Sequence, residues 1–169
     1  NDCDLRKFKT RDLADVFWGA AIAQCDQSEL LDRLRIAVKN KRKDLNSFDV
    51  TSILWYTAKM GYLNPLLSTV LFERIQEIPE QFSAHQLTEI VSCLVTFNGT
   101  PDFVQEHVDL LQVLYDQLAD KVGGLDLADV SSLAWAMAKL GHRHERLLRV
   151  FAAFLVNKTR SPVWKRPPS

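Results

Sequence analysis

Little in this 169-residue chain could hold it together except packing. Its three cysteines, Cys3, Cys25 and Cys93, are odd in number, far apart and lack a C-x-x-C pair. That pattern argues against a disulfide framework or a structural zinc site and makes a reducing compartment the simplest setting. Glycine is scarce at six residues, and no P-loop or other phosphate cradle is among them; the adjacent Gly123 and Gly124 read as a turn. No stretch reaches the roughly 20 apolar residues of a membrane span. The opening NDCDLRKFKTR has neither an apolar signal region nor a transit peptide's lack of acids. G-x-S-x-G, H-E-x-x-H and clustered catalytic carboxylates are missing too, so no enzyme activity and no cofactor are expected. What remains, 47% hydrophobic and 25% charged residues, is the composition of an ordinary globular domain.

The chain does repeat itself. DVTSILWYTAKMG, from Asp49, and DVSSLAWAMAKLG, from Asp129, share seven of thirteen residues. A shift of 37 places Leu13 on Val50, Val16 on Ile53 and Trp18 on Trp55; a second shift of 37 places Leu87 on Val50 and Ile90 on Ile53, with Ser92 where the tryptophan stood. From Leu87 to Val130 the shift is 43. Four copies therefore fill the chain.

Each copy reads as two helices. In the last, Val130, Leu133, Met137 and Leu140 line one face at helical spacing, while Trp135 and Ala138 lie on another, so the helix is expected to be packed from several directions. Ser83 with Gln86 resembles a capping box, and the pentapeptide DLADV at Asp12 and at Asp126 reads as a helix start. Gly61, Gly141 and Asn98-Gly99 read as stops, and Asn64-Pro65 and Thr100-Pro101 as the starts of second helices. Those second helices are SELLDRLRIAVKN, PLLSTVLFERI, PDFVQEHVDLLQVLYDQLADK and HERLLRVFAAFLVNK. A helix pair cannot bury its apolar stripe alone, so stacking is required. The expected fold is an all-α solenoid of four two-helix repeats, near 10–45, 46–80, 81–124 and 125–158, followed by a basic Pro-rich tail over 159–169.

LADVSSLAWAMAKLGHRHERLLRVFAAFL resembles the helical repeat of the heptatricopeptide and octotricopeptide proteins and of the related FAST-kinase and RAP-domain proteins. The resemblance implies a nuclear-encoded, RNA-associated solenoid of mitochondria, with the plastid as the other organelle, acting in transcript processing, translation or on ribosomal RNA. The third copy departs from it by losing the tryptophan and gaining residues. No RAP or FAST-kinase-like block is present, so no nuclease activity is implied.

Charge and aromatics carry the remaining signals. The net charge is zero, but residues 1–45 hold ten Lys or Arg against eight acids, 46–128 three against eleven, and 129–169 eight against two. RNA contact is accordingly expected at the basic ends: Lys39, Lys41, Arg42 and Lys43 in one cluster, and Arg143, Arg146, Arg149, Lys158, Arg160, Lys165 and Arg166 in the other. Trp164 in the tail is the expected anchor of an extended strap. Trp18, Trp55 and Trp135 are expected in the core, with base stacking as the alternative. His142 and His144 lack a metal partner set and read as a solvated turn. The last helix carries more apolar surface, including Phe151, Phe154 and Leu155, than one neighbour could cover, which points to a component embedded in an assembly. The expected function is a non-catalytic structural component of the mitochondrial ribosome touching rRNA and neighbouring proteins, with no membrane and no small-molecule substrate. A stand-alone RNA processing or translation factor and a protein scaffold without RNA contact are the alternatives.

Overall fold

The structure is a computed structural model that describes residues 5–24, 28–61, 64–97 and 102–160. Among these residues there are helices and no strands. The α-helices are α1 (Thr10–Ile22), α2 (Ser28–Asn40), α3 (Ser47–Lys59), α4 (Pro65–Glu77), α5 (Ala84–Phe97), α6 (Phe103–Glu106), α7 (Val108–Asp120), α8 (Leu127–Leu140) and α9 (Glu145–Arg160). Single 3-10 turns at Leu5–Lys7, Arg42–Asp44, Pro79–Gln81 and Val122–Gly124 precede or join them.

Local chemistry sets the helix ends. Asn46 and Asp126 each accept a bond from the backbone N–H of an aspartate three residues on, Asp49 or Asp129, whose carboxylate accepts from the cap's own N–H. Ser83 and Gln86 do the same for α5. At α1 only the return bond recurs, from Lys9 N–H to Asp12 at 2.7 Å. The first helix thus starts before the pentapeptide DLADV rather than on it: Asp12 is equivalent to Asp129, not to Asp126. Burial of Leu13 and Phe17 fixes this register over the local signal. Gly61 and Gly141 adopt φ of +62° and +64°, and Gln24 occupies the same left-handed region at the end of α1. Asn64 Oδ1 accepts from Leu66 N–H with Pro65 in the first turn of α4. The Asn98-Gly99 and Thr100-Pro101 signals lie outside the described residues.

The helices pack in two rows. In one, α1 lies on α3, α3 on α5 and α5 on α8; in the other, α2 lies on α4, α4 on α7 and α7 on α9. A single buried cluster runs between the rows, through Leu13, Phe17, Leu34, Ile53, Leu67, Leu71, Leu87, Leu111, Leu114, Leu133 and Leu147. Each such side chain contributes about 1.5–3 kcal/mol by leaving water. Polar clamps fix one helix pair to the next. Arg74 of α4 donates to the carbonyls of Lys43 and Leu45, and Lys121 donates to those of Glu80 and Phe82, so a long cation satisfies the backbone of the turn before its own helix pair.

Several expectations are corrected. The segment from Pro101 is not one helix. Its described part breaks at His107, whose Nδ1 lies 2.8 Å from the Phe103 carbonyl oxygen, giving α6 and α7. The last helix runs to Arg160, two residues into the expected tail. His144 is buried rather than solvated: its Nδ1 accepts the Leu147 N–H at 3.2 Å, capping α9, and its Nε2 lies 2.9 Å from Gln112 Nε2 and 3.4 Å from Asp116. The helix α8 buries Val130, Leu133, Met137 and Leu140 as expected, with Ala136 beside them, but it is not packed from several directions: Ala138 is exposed because α8 ends its row. The tryptophans are the largest correction.

Candidate nucleic-acid interface

A helix repeats its faces at three- and four-residue steps, so residues four, seven and eleven apart form one stripe. In α1 the stripe is Arg11, Asp15, Trp18 and Ile22; in α3 it is Phe48, Ser52, Trp55 and Lys59; in α5 it is His85, Glu89, Ser92 and Thr96; in α8 it is Ala128, Ser132, Trp135 and Lys139. These four sets coincide under the sequence shifts, and none of the sixteen residues is buried. Trp18 is 51% exposed, Trp55 39% and Trp135 54%. The expected core burial of the tryptophans is therefore overturned. Each helix sends a neighbouring residue inward instead, Phe17 beside Trp18, Leu54 beside Trp55 and Ala136 beside Trp135, and the tryptophan, about 100° further round the helix, falls outside the inner arc. Cations accompany the rings. Lys59 Nζ lies 5.1 Å from the Trp55 ring centre, Lys139 Nζ 5.9 Å from that of Trp135, and the Arg11 guanidinium 4.2 Å from that of Phe48.

Where α5 carries Ser92 in place of a tryptophan, the surface sinks into a depression of about 490 Å³. Trp55 and Lys59 wall it on one side, Ser132 and Asp129 on the other, and Glu89 and Ser92 lie along it. His85 stands between two carboxylates, its Nδ1 3.3 Å from Asp129 and its Nε2 3.7 Å from Glu89. Cys93 also contributes to the lining; burial, reinforced by the Glu89 carboxylate, pushes its thiol up to about 12 and keeps it protonated.

The basic clusters expected to meet RNA are on other elements, and folding has changed two of them. Arg42 forms ion pairs with Glu73 and Glu77 of α4, and Arg146 with Asp116 and Asp120 of α7. Asp116 is held below its ordinary value chiefly by the Gln112 hydrogen bond, with Arg146 adding to the effect. Basic ends and acidic middle therefore neutralise each other at these points. Arg143 pairs with its neighbour Glu145 at 2.7 Å, Lys158 lies 5.4 Å from the Phe154 ring centre, and Lys39, Lys43 and Arg149 are exposed with Lys41 half-buried. The side chain of Arg160, together with Trp164, Lys165 and Arg166, lies outside what the structure describes. Lys59 and Lys139 were missed by charge counting. Their signal was the identical Ala-Lys pair in the two most similar copies, a repeated surface residue that packing does not require.

Protein-family models and curated proteins give no match to this chain. The arrangement must be read on its own chemistry. Among the described residues no group of His, Cys, Asp and Glu could hold a metal ion, and no helix is long and apolar enough to cross a membrane. The end of the rows offers a second kind of surface. Thr51 and Leu54 of α3, and Thr88 and Val91 of α5, are buried, but their equivalents Ser131 and Ala134 of α8 are exposed, and so are Leu127 of α8 and Leu155 and Val156 of α9.

Proposed function

We propose that the chain is a non-catalytic α-solenoid of four two-helix repeats that binds single-stranded RNA along the exposed face of α1, α3, α5 and α8. The observation that carries this reading is the row of exposed Trp18, Trp55 and Trp135, with Lys59 and Lys139 one turn beyond the last two. Aromatic faces that accept bases, beside cations that accept phosphates, are the elements of single-strand binding, and stacking contributes about 1–3 kcal/mol per base. The repeat reading is supported by helix starts at Thr10, Ser47, Ala84 and Leu127, which follow the spacing of the sequence copies.

Lys39, Lys41, Lys43, Arg149 and Lys158 serve in this reading as outlying phosphate contacts, with Arg143 beside them, whereas Arg42 and Arg146 tie helices together. The assembly we propose is the mitochondrial ribosome, on the resemblance of the repeats and on the exposed apolar end at α8 and α9, which a neighbouring protein would cover. A stand-alone processing or translation factor shares the RNA face but not the need for that neighbour. A scaffold without RNA contact requires the tryptophan row to do something else.

Titration of a fluorescently labelled oligouridylate at low and high salt tests the RNA reading. Binding should weaken as salt rises, and Trp18→Ala, Trp55→Ala and Trp135→Ala should each reduce affinity by about five- to a hundredfold. Undiminished binding by all three variants would move the interface elsewhere. No binding by the wild-type chain would leave the scaffold.

A further inference from the structure

Among the four equivalent positions Trp18, Trp55, Ser92 and Trp135, three offer a flat ring and one does not. Resting on the RNA reading above, we infer that the depression over α5 is a base-selective pocket that takes a guanine of the bound strand.

The donor and acceptor pattern of the lining carries this. Ser92 Oγ donates its single proton to the Thr88 carbonyl at 2.9 Å, and Thr88 Oγ1 donates its own to the Ala84 carbonyl at 3.0 Å. Both hydroxyls therefore have only lone pairs left to offer a ligand. Glu89 is an acceptor. Asp129 is already engaged, by the Asp126 N–H on one oxygen and by His85 on the other. Lys59, which is left for a phosphate, and His85, held between Asp129 and Glu89, are the lining groups with protons to give, and the floor formed by Thr88, Glu89 and Ser92 asks for a ligand edge that donates.

Of the four bases only guanine carries two adjacent donors, N1–H and the 2-amino group, at the spacing of the two oxygens of one carboxylate. Adenine and cytosine place a ring acceptor beside their amino group, where it would face the Glu89 lone pairs. Uracil flanks its one N–H with two carbonyls. The other parts of a nucleotide also find partners, because the Trp55 ring lines the depression and Lys59 brings a cation for the phosphate. The same Lys59 disfavours the competing occupant, an arginine or lysine side chain of a protein.

The test uses the full chain and short oligoadenylates that differ at one central nucleotide: adenosine, guanosine, inosine, which keeps N1–H but lacks the 2-amino group, or 2-aminopurine riboside, which keeps the amino group but lacks N1–H. Guanosine should bind about tenfold more tightly than adenosine, within the range that a bidentate base contact discriminates, with each analogue in between. Glu89→Gln should bring the guanosine-to-adenosine ratio close to one. Ser92→Trp, which fills the depression, should do the same while tightening the adenosine oligomer. If wild-type protein binds all four oligomers equally, the guanine pocket is refuted and RNA binding stands. A guanosine preference that survives both substitutions moves the pocket elsewhere. If no oligomer binds, the RNA reading fails and takes this inference with it.

Discussion

Phe17 and Trp18 are successive aromatic residues of α1 with opposite surroundings, one fully buried and the other half-exposed. Replacing Phe17 with Ala removes a ring that meets no water and leaves a cavity between α1 and α3, for which the transfer and cavity terms together come to about 3–5 kcal/mol. Against a total stability of about 5–15 kcal/mol, that is a large fraction. At about 2–4 °C per kcal/mol for a chain of this size, the melting temperature should fall by roughly 6–20 °C. Trp18→Ala removes a larger ring, but much of its surface is already in water and no closed cavity results, so about 1 kcal/mol is expected. Urea denaturation followed by far-ultraviolet circular dichroism compares the two without relying on the fluorophore being deleted. Equal destabilisation by both substitutions would mean that Trp18 is packed, and the exposed aromatic row would lose its first member.

Other expectations follow from particular groups. Burial, and secondarily the nearby His144, holds His142 below its ordinary value of 6.5, so the unfolded chain takes up a proton that the folded one refuses. The stability associated with this group is complete above about pH 6.5 and declines as pH falls below it, and His142→Phe should flatten a melting-temperature profile measured between neutral and mildly acid pH. Cys93, 5% exposed and with its thiol pushed up to about 12, should resist alkylation by iodoacetamide at pH 8 in the native state, and peptide mass spectrometry that found it rapidly modified would contradict its buried setting. The exposed Leu127 and Leu155 at the α8 and α9 end should drive concentration-dependent self-association of the isolated chain in sedimentation, reduced by Leu155→Lys. A monomer at every concentration would remove the case for a covering neighbour.

The reach of sequence reasoning differed between packing and surface. Helix starts at Ser83, Asn64 and Asp126, and stops at Gly61 and Gly141, were legible because capping and left-handed φ depend on a few adjacent residues. The inward faces were legible because Val130, Leu133, Met137 and Leu140 follow the helical period. Trp18 was not, because ring size says how much surface a residue has and not which way it points; its direction is set by Leu13, Ala14 and Phe17 claiming the inner face. The ion pairs of the charged clusters were hidden for a related reason. Arg42 and Glu73, or Arg146 and Asp120, are far apart in the chain and meet only when α4 docks on α2 or α9 on α7. His144 looked solvated because a histidine cap depends on one ring nitrogen meeting one backbone N–H, which no spacing announces.

The central claim, RNA held on the tryptophan row, is tested most directly by mapping photo-crosslinks from a 4-thiouridine-containing oligoribonucleotide bound to the full chain. The account predicts crosslinked peptides from α1, α3 and α8 that carry Trp18, Trp55 and Trp135. Crosslinks confined to α4, α7 or α9, with none on those three peptides, would contradict it.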